Sequence, residues 1–156
     1  MRILGIDPGY GILGWAVIDN NQTLIEYGSI ETSADQHIDE RILNIHNRLN
    51  SIIDQYRPDT AGVEKLFFTK NLTTGLDVAK TIGAVILTLK LNNISYSEYT
   101  PSQVKQAITG YGRAGKSQIM HMIKTIFNLK EMPACDDAAD ALAIALCHSL
   151  RQKHIY

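Results

Sequence analysis

Acidic side chains at three distant points of the sequence could together bind divalent cations. Asp7 and Glu64 each end a short apolar run, so each carboxylate is expected at the tip of a buried strand. Asp137 and Asp140 open a helical segment near the C-terminus and, three residues apart, lie on one face of it. Carboxylate oxygens suit Mg²⁺ and Mn²⁺. Two such ions can activate a water and stabilise the leaving oxygen of a phosphodiester.

Ordinary local structure offers an alternative explanation for these acids. Asp-Pro-Gly at residues 7–9 is also a common turn sequence. Aspartate is favoured in the first turn of a helix, and Asp136 is suited to cap the last helix. Helix capping accounts for one or two acids but poorly for three within residues 136–140, because clustered like charges repel and raise one another's pKa. A bound cation would relieve that repulsion.

The composition is that of a globular protein. The chain has 156 residues, of which 45% are hydrophobic, and we expect one domain over residues 1–156. No apolar run approaches the ~20 residues of a membrane span, and the first residues lack a signal-peptide pattern. Cys135 and Cys147 would lie about 18 Å apart on a helix, too far for a disulfide. We therefore predict a cytoplasmic protein with free thiols and no membrane contact.

Charge is distributed unevenly along the chain. Residues 1–64 carry 4 basic and 10 acidic side chains, a net charge of −6, whereas residues 65–134 carry 9 and 3, a net charge of +6. A basic middle third is compatible with a polyanionic partner such as DNA. Solvated helix faces would produce the same charges, and the total of −1 does not favour nucleic acid.

The periodicity of apolar residues predicts the order of the secondary-structure elements. The predicted strands cover residues 2–7, 13–19, 23–31, 60–64 and 94–99. The predicted helices cover residues 38–57, 71–91, 101–108, 116–128 and 136–150. Three strands in a meander followed by alternating helices and strands predict an α/β protein with a five-stranded mixed sheet flanked by helices. This is the order of the ribonuclease H-like fold.

The helix predicted over residues 71–91 is apolar nearly all round in its second half, residues 82–89. Such a helix must bury more than one face. One face can cover the sheet, and the other could meet a second subunit or be buried inside a monomer.

Residues 110–117, Gly-Tyr-Gly-Arg-Ala-Gly-Lys-Ser, match the P-loop pattern of nucleotide-binding proteins letter for letter. A P-loop requires a buried strand immediately before its first glycine, whereas residues 102–108 are typical of a helix. We therefore do not expect an ATP site. Lys116 and Ser117 at a helix N-terminus could instead contact a phosphate of a nucleic-acid backbone.

Four segments together resemble the RuvC family of Holliday-junction resolvases. They are "ILGIDPGYGILGWAVI", "VEKLFFTKN", "TPSQVKQAITGYGRAGKSQI" and "DDAADALAIAL", and the resemblance runs in order over nearly the whole chain. The resemblance implies a ribonuclease H-like homodimer with Mg²⁺-dependent endonuclease activity. It also implies two symmetric nicks across a four-way DNA junction and partnership with the RuvA–RuvB branch-migration machinery.

The resemblance also implies a role for individual residues. Asp7, Glu64, Asp137 and Asp140 match the family's four catalytic acids, which would hold two Mg²⁺ ions, with Mn²⁺ as a substitute. Phe67 matches an aromatic residue that stacks at the junction centre, although Phe68 is an alternative. Lys105 and Lys116 match basic residues near the active site, and Lys70 and Arg113 are further candidates for DNA contacts. Asp136 and the near-neutral total charge are less typical of the family.

Three other functions remain open from the residues alone. A YqgF-like ribosomal RNA-processing nuclease would share the opening Asp-Pro-Gly segment but lack the closing "DDAADALA". An ATPase would use the P-loop match or an actin-like core. A non-catalytic module would bind junctions without cutting them.

Overall fold

A computed structural model of the chain describes residues 1–65 and 72–152. The strands are β1 (Arg2–Asp7), β2 (Ile12–Asp19), β3 (Leu24–Glu31), β4 (Thr60–Glu64) and β5 (Ser95–Tyr99). The helices are α1 (Ile38–Tyr56), α2 (Leu72–Leu91), α3 (Pro101–Thr109), α4 (Lys116–Ile126) and α5 (Asp136–Gln152). The predicted order and type of these elements are confirmed, with each boundary within about two residues of its prediction.

The strands form one mixed sheet in the order β3-β2-β1-β4-β5. The central strand β1 is antiparallel to β2 and parallel to β4. Four of its six residues are buried, because helices cover both faces of the sheet. The predicted five-stranded mixed sheet is thereby confirmed.

Alternation along β1 divides the core into two layers. Ile3 packs on the face covered by α3, α4 and α5. Leu4 and Ile6 pack on the opposite face, against apolar residues of α1 and α2. Residues two apart on a strand share a face, so the odd-numbered positions of β1 point towards α5.

Helix α5 lies in a trough formed by Gly14 of β2, Gly5 of β1 and Gly62 of β4. A Cβ atom at Gly14 would overlap the carbonyl oxygen of Asp137, and one at Gly5 would overlap that of Ala141. A Cβ at Gly62 would meet side-chain atoms of α5 at 3.1 Å. This glycine trough lets the backbone of α5 approach three adjacent strands and determines where its N-terminal end lies.

The C-terminal half of α5 is held by a buried hydrogen-bond network around His148. Its Nδ1 lies 2.7 Å from the hydroxyl of Tyr99, and its Nε2 lies 2.9 Å from Oγ1 of Thr60. Burial lowers the pKa of His148 to about 4, so the ring is neutral at physiological pH. This end of the helix is therefore tied to β4 and β5 by uncharged groups.

Two smaller sequence predictions concern the thiols and the helices. Both cysteines are free, with Cys147 buried and Cys135 half-buried. Among the helices within residues 1–65 and 72–152, none combines the length and the apolar character needed to cross a bilayer.

Candidate active site

Asp7 and Glu64 emerge side by side from two parallel strands and point towards the same helix. Ile6 lies opposite Val63 in the register of β1 and β4, so the two acids occupy the next positions at the same edge of the sheet. Each acid follows a trough glycine by two residues and therefore shares its face. Both carboxylates consequently face α5.

The glycine trough brings the first turn of α5 to these acids. Gly14 is the register partner of Asp7 across β1 and β2, and the backbone of Asp137 lies directly against Gly14. Asp140 lies one turn further along α5 and borders the same cavity as Glu64. The structure therefore brings together four acids that are up to 133 positions apart in the sequence.

An arginine not singled out in the sequence holds the turn that follows Asp7. Arg41 of α1 donates from Nε to Oγ1 of Thr32 at 2.8 Å, and its guanidinium lies 4.8 Å from the ring centroid of Tyr10. The Thr32 hydroxyl donates to the carbonyl oxygen of Tyr10 at 2.5 Å, and the Thr32 amide donates to that of Gly11 at 2.9 Å. These contacts fix the path of the chain as it leaves Asp7.

A cavity of about 200 Å³ opens beside the acids. Two acids and two lysines share its wall with apolar side chains. The residues that line it are Glu64, Pro101, Val104, Lys105, Lys116, Ile119, Met120, Asp140, Ala143 and Ile144. Basic groups at the mouth of an acidic site suit an anionic substrate whose reacting group must approach bound cations.

The two ends of α3 position Lys105 and lead the chain to Lys116, the first residue of α4. The Thr100 hydroxyl accepts a hydrogen bond from the amide of Gln103, and the side-chain oxygen of Gln103 accepts one from the amide of Thr100. Pro101 begins α3. Gly110 ends α3 in the left-handed conformation, with φ 75°. The predicted helix therefore precedes the P-loop-like residues 110–117, where a P-loop would require a buried strand.

Asp7 is the most perturbed acid of the site. Burial raises the pKa of Asp7 to about 8, and the charges of Glu64, Asp140 and Asp137 act in the same direction. Because Asp7 and Glu64 lie close together, losing the second of their two protons is costly, and the two acids titrate as a pair.

The other acids show the same crowding. Burial raises the pKa of Glu64, and the charge of Asp140 adds to that effect. Burial also raises the pKa of Asp140, against the opposing effect of the Lys116 ammonium. Clustered acids with raised pKa values are typical of a functional site, because their repulsion costs stability that only a ligand or a reaction would justify.

The donor chemistry of the four acids fits a hard cation, since every donor is a carboxylate oxygen. Their positions do not yet form a closed cage. Within residues 1–65 and 72–152, no three acidic, histidine or cysteine side chains lie close enough together to hold one ion between them. A bound cation would offset the burial and repulsion that raise the pKa values of Asp7, Glu64 and Asp140.

The remaining candidate residues lie in different places. Arg113 is exposed in the loop between α3 and α4, and it is not part of the cavity wall. Phe67, Phe68 and Lys70 lie outside the described residues. The sequence predictions for these four side chains, like the roles of the acids, stay predictions.

Comparison with known proteins gives the family of the chain. A family model described as crossover junction endodeoxyribonuclease RuvC matches residues 3–148, a span that contains all four acids. A relative of that name from Caldicellulosiruptor saccharolyticus is 46% identical, and the alignment covers 99% of this chain and 96% of the relative. Another, from Petrotoga mobilis, is 49% identical over 95% of this chain and 93% of its own length. The chain belongs to the RuvC family.

A solved structure of a RuvC family member has the same fold. Thermus thermophilus RuvC in complex with a Holliday junction substrate matches with a TM-score of 0.94 and 34% identity. The match covers 99% of this chain and 96% of that one. The predicted ribonuclease H-like fold and the resemblance to the RuvC family are both confirmed. Membership of the RuvC family does not favour the alternative of a YqgF-like nuclease.

Proposed function

We propose that this protein is a metal-dependent endonuclease that resolves four-way DNA junctions by paired symmetric nicks in recombination and repair. The observation that carries the proposal is the convergence of Asp7 and Glu64 with the first turn of α5, beside a cavity that Lys105 and Lys116 line. Membership of the RuvC family supports the choice of a DNA junction as substrate.

Asp7, Glu64, Asp137 and Asp140 would hold two Mg²⁺ ions, for which Mn²⁺ can substitute. The bound ions supply an activated water and stabilise charge on the leaving oxygen, giving 5′-phosphate and 3′-hydroxyl ends. Asp7 would have to be ionised to act as a ligand. Because its pKa lies near 8, metal binding should strengthen as the pH rises through that value.

The basic residues would position the DNA. Lys105 and Lys116 lie on the cavity wall and would contact the phosphate next to the acids. Arg113 is exposed on the adjacent loop, where it is accessible to the backbone of a junction arm. Lys70 would add a further phosphate contact, and Phe67 would stack on an unpaired base at the junction centre.

A homodimer would give one site for each of two symmetric strands. An exposed row of apolar side chains on α2 supports this assembly, since Leu76, Leu87 and Leu91 are 56%, 57% and 65% exposed. Their spacing of eleven and four residues places them on one helix face. Partnership with RuvA–RuvB, the single-domain organisation of residues 1–156 and a cytoplasmic location remain predictions.

The test is a nicking assay on fixed and mobile four-way DNA junctions, with linear duplex and structured RNA as alternative substrates. We expect symmetric nicks in the junctions with Mg²⁺ or Mn²⁺, and binding without cutting in Ca²⁺. Preferential cleavage of structured RNA would support a YqgF-like activity instead. Junction binding with no nicking in either Mg²⁺ or Mn²⁺ would indicate a non-catalytic module.

A further inference from the structure

The acid that precedes the proposed catalytic pair on α5 is engaged by a lysine of the cavity. Asp136 forms an ion pair with Lys116, with 2.9 Å between Oδ2 and Nζ. The two side chains are 79% and 56% exposed, so the pair lies at the surface and can open at little cost. The hydrogen bond from Lys116 to Asp136 raises the pKa of the lysine, which therefore stays charged.

Lys116 thus has two possible anionic partners. It is the first residue of α4 and lines the cavity with Glu64 and Asp140, where a phosphate would enter. Its ammonium group instead forms the ion pair with Asp136. The negative charge of Asp136 therefore lies beside the cavity that DNA would have to approach. Lys105 lines the same cavity but forms no ion pair with an acid of the described residues.

We propose that Asp136 competes with the DNA backbone for Lys116, so that their ion pair must open before a phosphate can bind in the cavity. This inference rests on the proposed function, because it requires an anionic nucleic acid as the ligand. It makes Asp136 an autoinhibitory residue that lowers affinity for DNA and takes no part in the hydrolysis. The alternative role for Asp136 is stabilisation of α5 through the helix dipole, which would affect stability and not DNA binding.

A double-mutant cycle tests the competition. The dissociation constant of a fluorescent four-way junction is measured by anisotropy at constant ionic strength, with metal chelated to prevent cutting. Asp136→Asn is combined separately with Lys116→Gln and with Lys105→Gln. We expect Asp136→Asn to tighten binding about two- to fivefold in the wild-type and Lys105→Gln backgrounds, and not in the Lys116→Gln background.

Controls separate this competition from general charge and from folding. Asp35→Asn removes one exposed charge from a different part of the chain and should leave the affinity close to that of wild type. Asp136→Ser keeps a residue that suits a helix start and should reproduce the effect of Asp136→Asn if α5 is intact, which a thermal unfolding curve checks.

Either of two outcomes overturns the inference. One is an unchanged affinity in Asp136→Asn and Asp136→Ser. The other is an equal gain with and without Lys116, which would mean that Asp136 repels DNA directly. Neither outcome affects the proposed nuclease activity, which depends on nicking by the wild-type protein in Mg²⁺.

Discussion

The two ends of α5 pack on the same sheet, but the C-terminal end is uncharged and the N-terminal end carries clustered acids. At the C-terminal end, His148 is uncharged and its two ring nitrogens are hydrogen-bonded to Tyr99 and Thr60. At the N-terminal end, Asp137 and Asp140 face Asp7 and Glu64, and the shared burial and repulsion raise the pKa of Asp7 to about 8.

Under the proposed function, one helix contributes to stability at one end and to the active site at the other. The buried neutral network anchors the helix, and the glycine trough sets its distance from the sheet. The anchored helix can then hold its first turn against acids that repel it. Acids that repel one another are thereby kept at the same edge of the sheet, where a divalent cation could approach them.

The largest expected effect is the loss of cutting in Asp7→Asn. The substitution keeps the size of the side chain but removes a charged ligand at the centre of the acid cluster. Nicking in Mg²⁺ should fall by at least roughly 10³-fold, while junction binding without metal is retained. Asp35→Asn is the matched control and should cut normally. Normal cutting by Asp7→Asn would show that the metal site is assigned wrongly.

Alanine substitutions in the trough compare the two ends directly. Gly14→Ala places a Cβ against the backbone oxygen of Asp137, so the first turn of α5 must move away from Asp7. Gly62→Ala meets side-chain atoms of His148 and Ile144 at 3.1 Å and the Ile144 carbonyl oxygen at 3.3 Å, so these neighbours must move by only a few tenths of an ångström. We expect Gly14→Ala to lose most of its nicking and about 2–3 kcal/mol of stability.

Gly62→Ala should lose about 1 kcal/mol of stability and keep most of its nicking. Chemical denaturation and the junction assay, run on the same preparations, measure both quantities. Equal losses of nicking in the two variants would show that the position of the first turn is not what the trough controls.

The pH dependence of stability should reveal the charge at the N-terminal end. Asp7 keeps its proton in the folded protein up to about pH 8, whereas the unfolded chain releases it near pH 4. The contribution of protonated Asp7 to the stability of the fold is therefore fully present below pH 4 and is lost as the pH rises to about 8. With metal chelated, Asp7→Asn should be more stable than wild type at pH 8, on the order of a few kcal/mol. The difference should shrink towards pH 4, as denaturant titrations across this range can measure.

The smallest effect on nicking is expected at the uncharged C-terminal end of α5. His148→Ala removes the hydrogen bond of the Tyr99 hydroxyl to Nδ1 and one contact of the Thr60 hydroxyl, which still donates to the carbonyl oxygen of Ser95. The substitution should cost about 1–3 kcal/mol of stability, while nicking at low temperature stays within a few-fold of wild type. Because the pKa of His148 is about 4, its contribution is lost as the pH falls from about 6.5 to 4. Exposed His121→Ala is the control. A complete loss of nicking in folded His148→Ala would assign this end a role in catalysis.

The sequence was sufficient to predict the elements and the acids of the site. Apolar runs with clear periods predicted the order of strands and helices, and Asp7 and Glu64 each end such a run. The order of the elements and the positions of these two acids both depend on the local pattern of apolar residues, which can be seen in a single sequence. The helix before residues 110–117 was likewise predicted from local pattern, and it lies where a P-loop would require a strand.

Contacts between distant segments could not be predicted in the same way. Arg41 contacts Thr32 and Tyr10 and so holds the turn after Asp7, which lies about thirty residues away in the sequence. An arginine near the start of a helix is usually solvated, so its position in the sequence did not indicate this role. The glycine trough did leave a signal. Gly5 and Gly62 each precede a strand-end acid by two residues, so both acids had to face whatever packs against the glycines.

Anomalous diffraction from crystals of the protein soaked in Mn²⁺ would show whether the four acids form one metal site. We expect two Mn²⁺ peaks about 3.5–4 Å apart, enclosed by Asp7, Glu64, Asp137 and Asp140, and none at that place in crystals of Asp7→Asn. Mn²⁺ bound elsewhere in the molecule, or absent from the space between β1, β4 and the first turn of α5, would contradict that expectation.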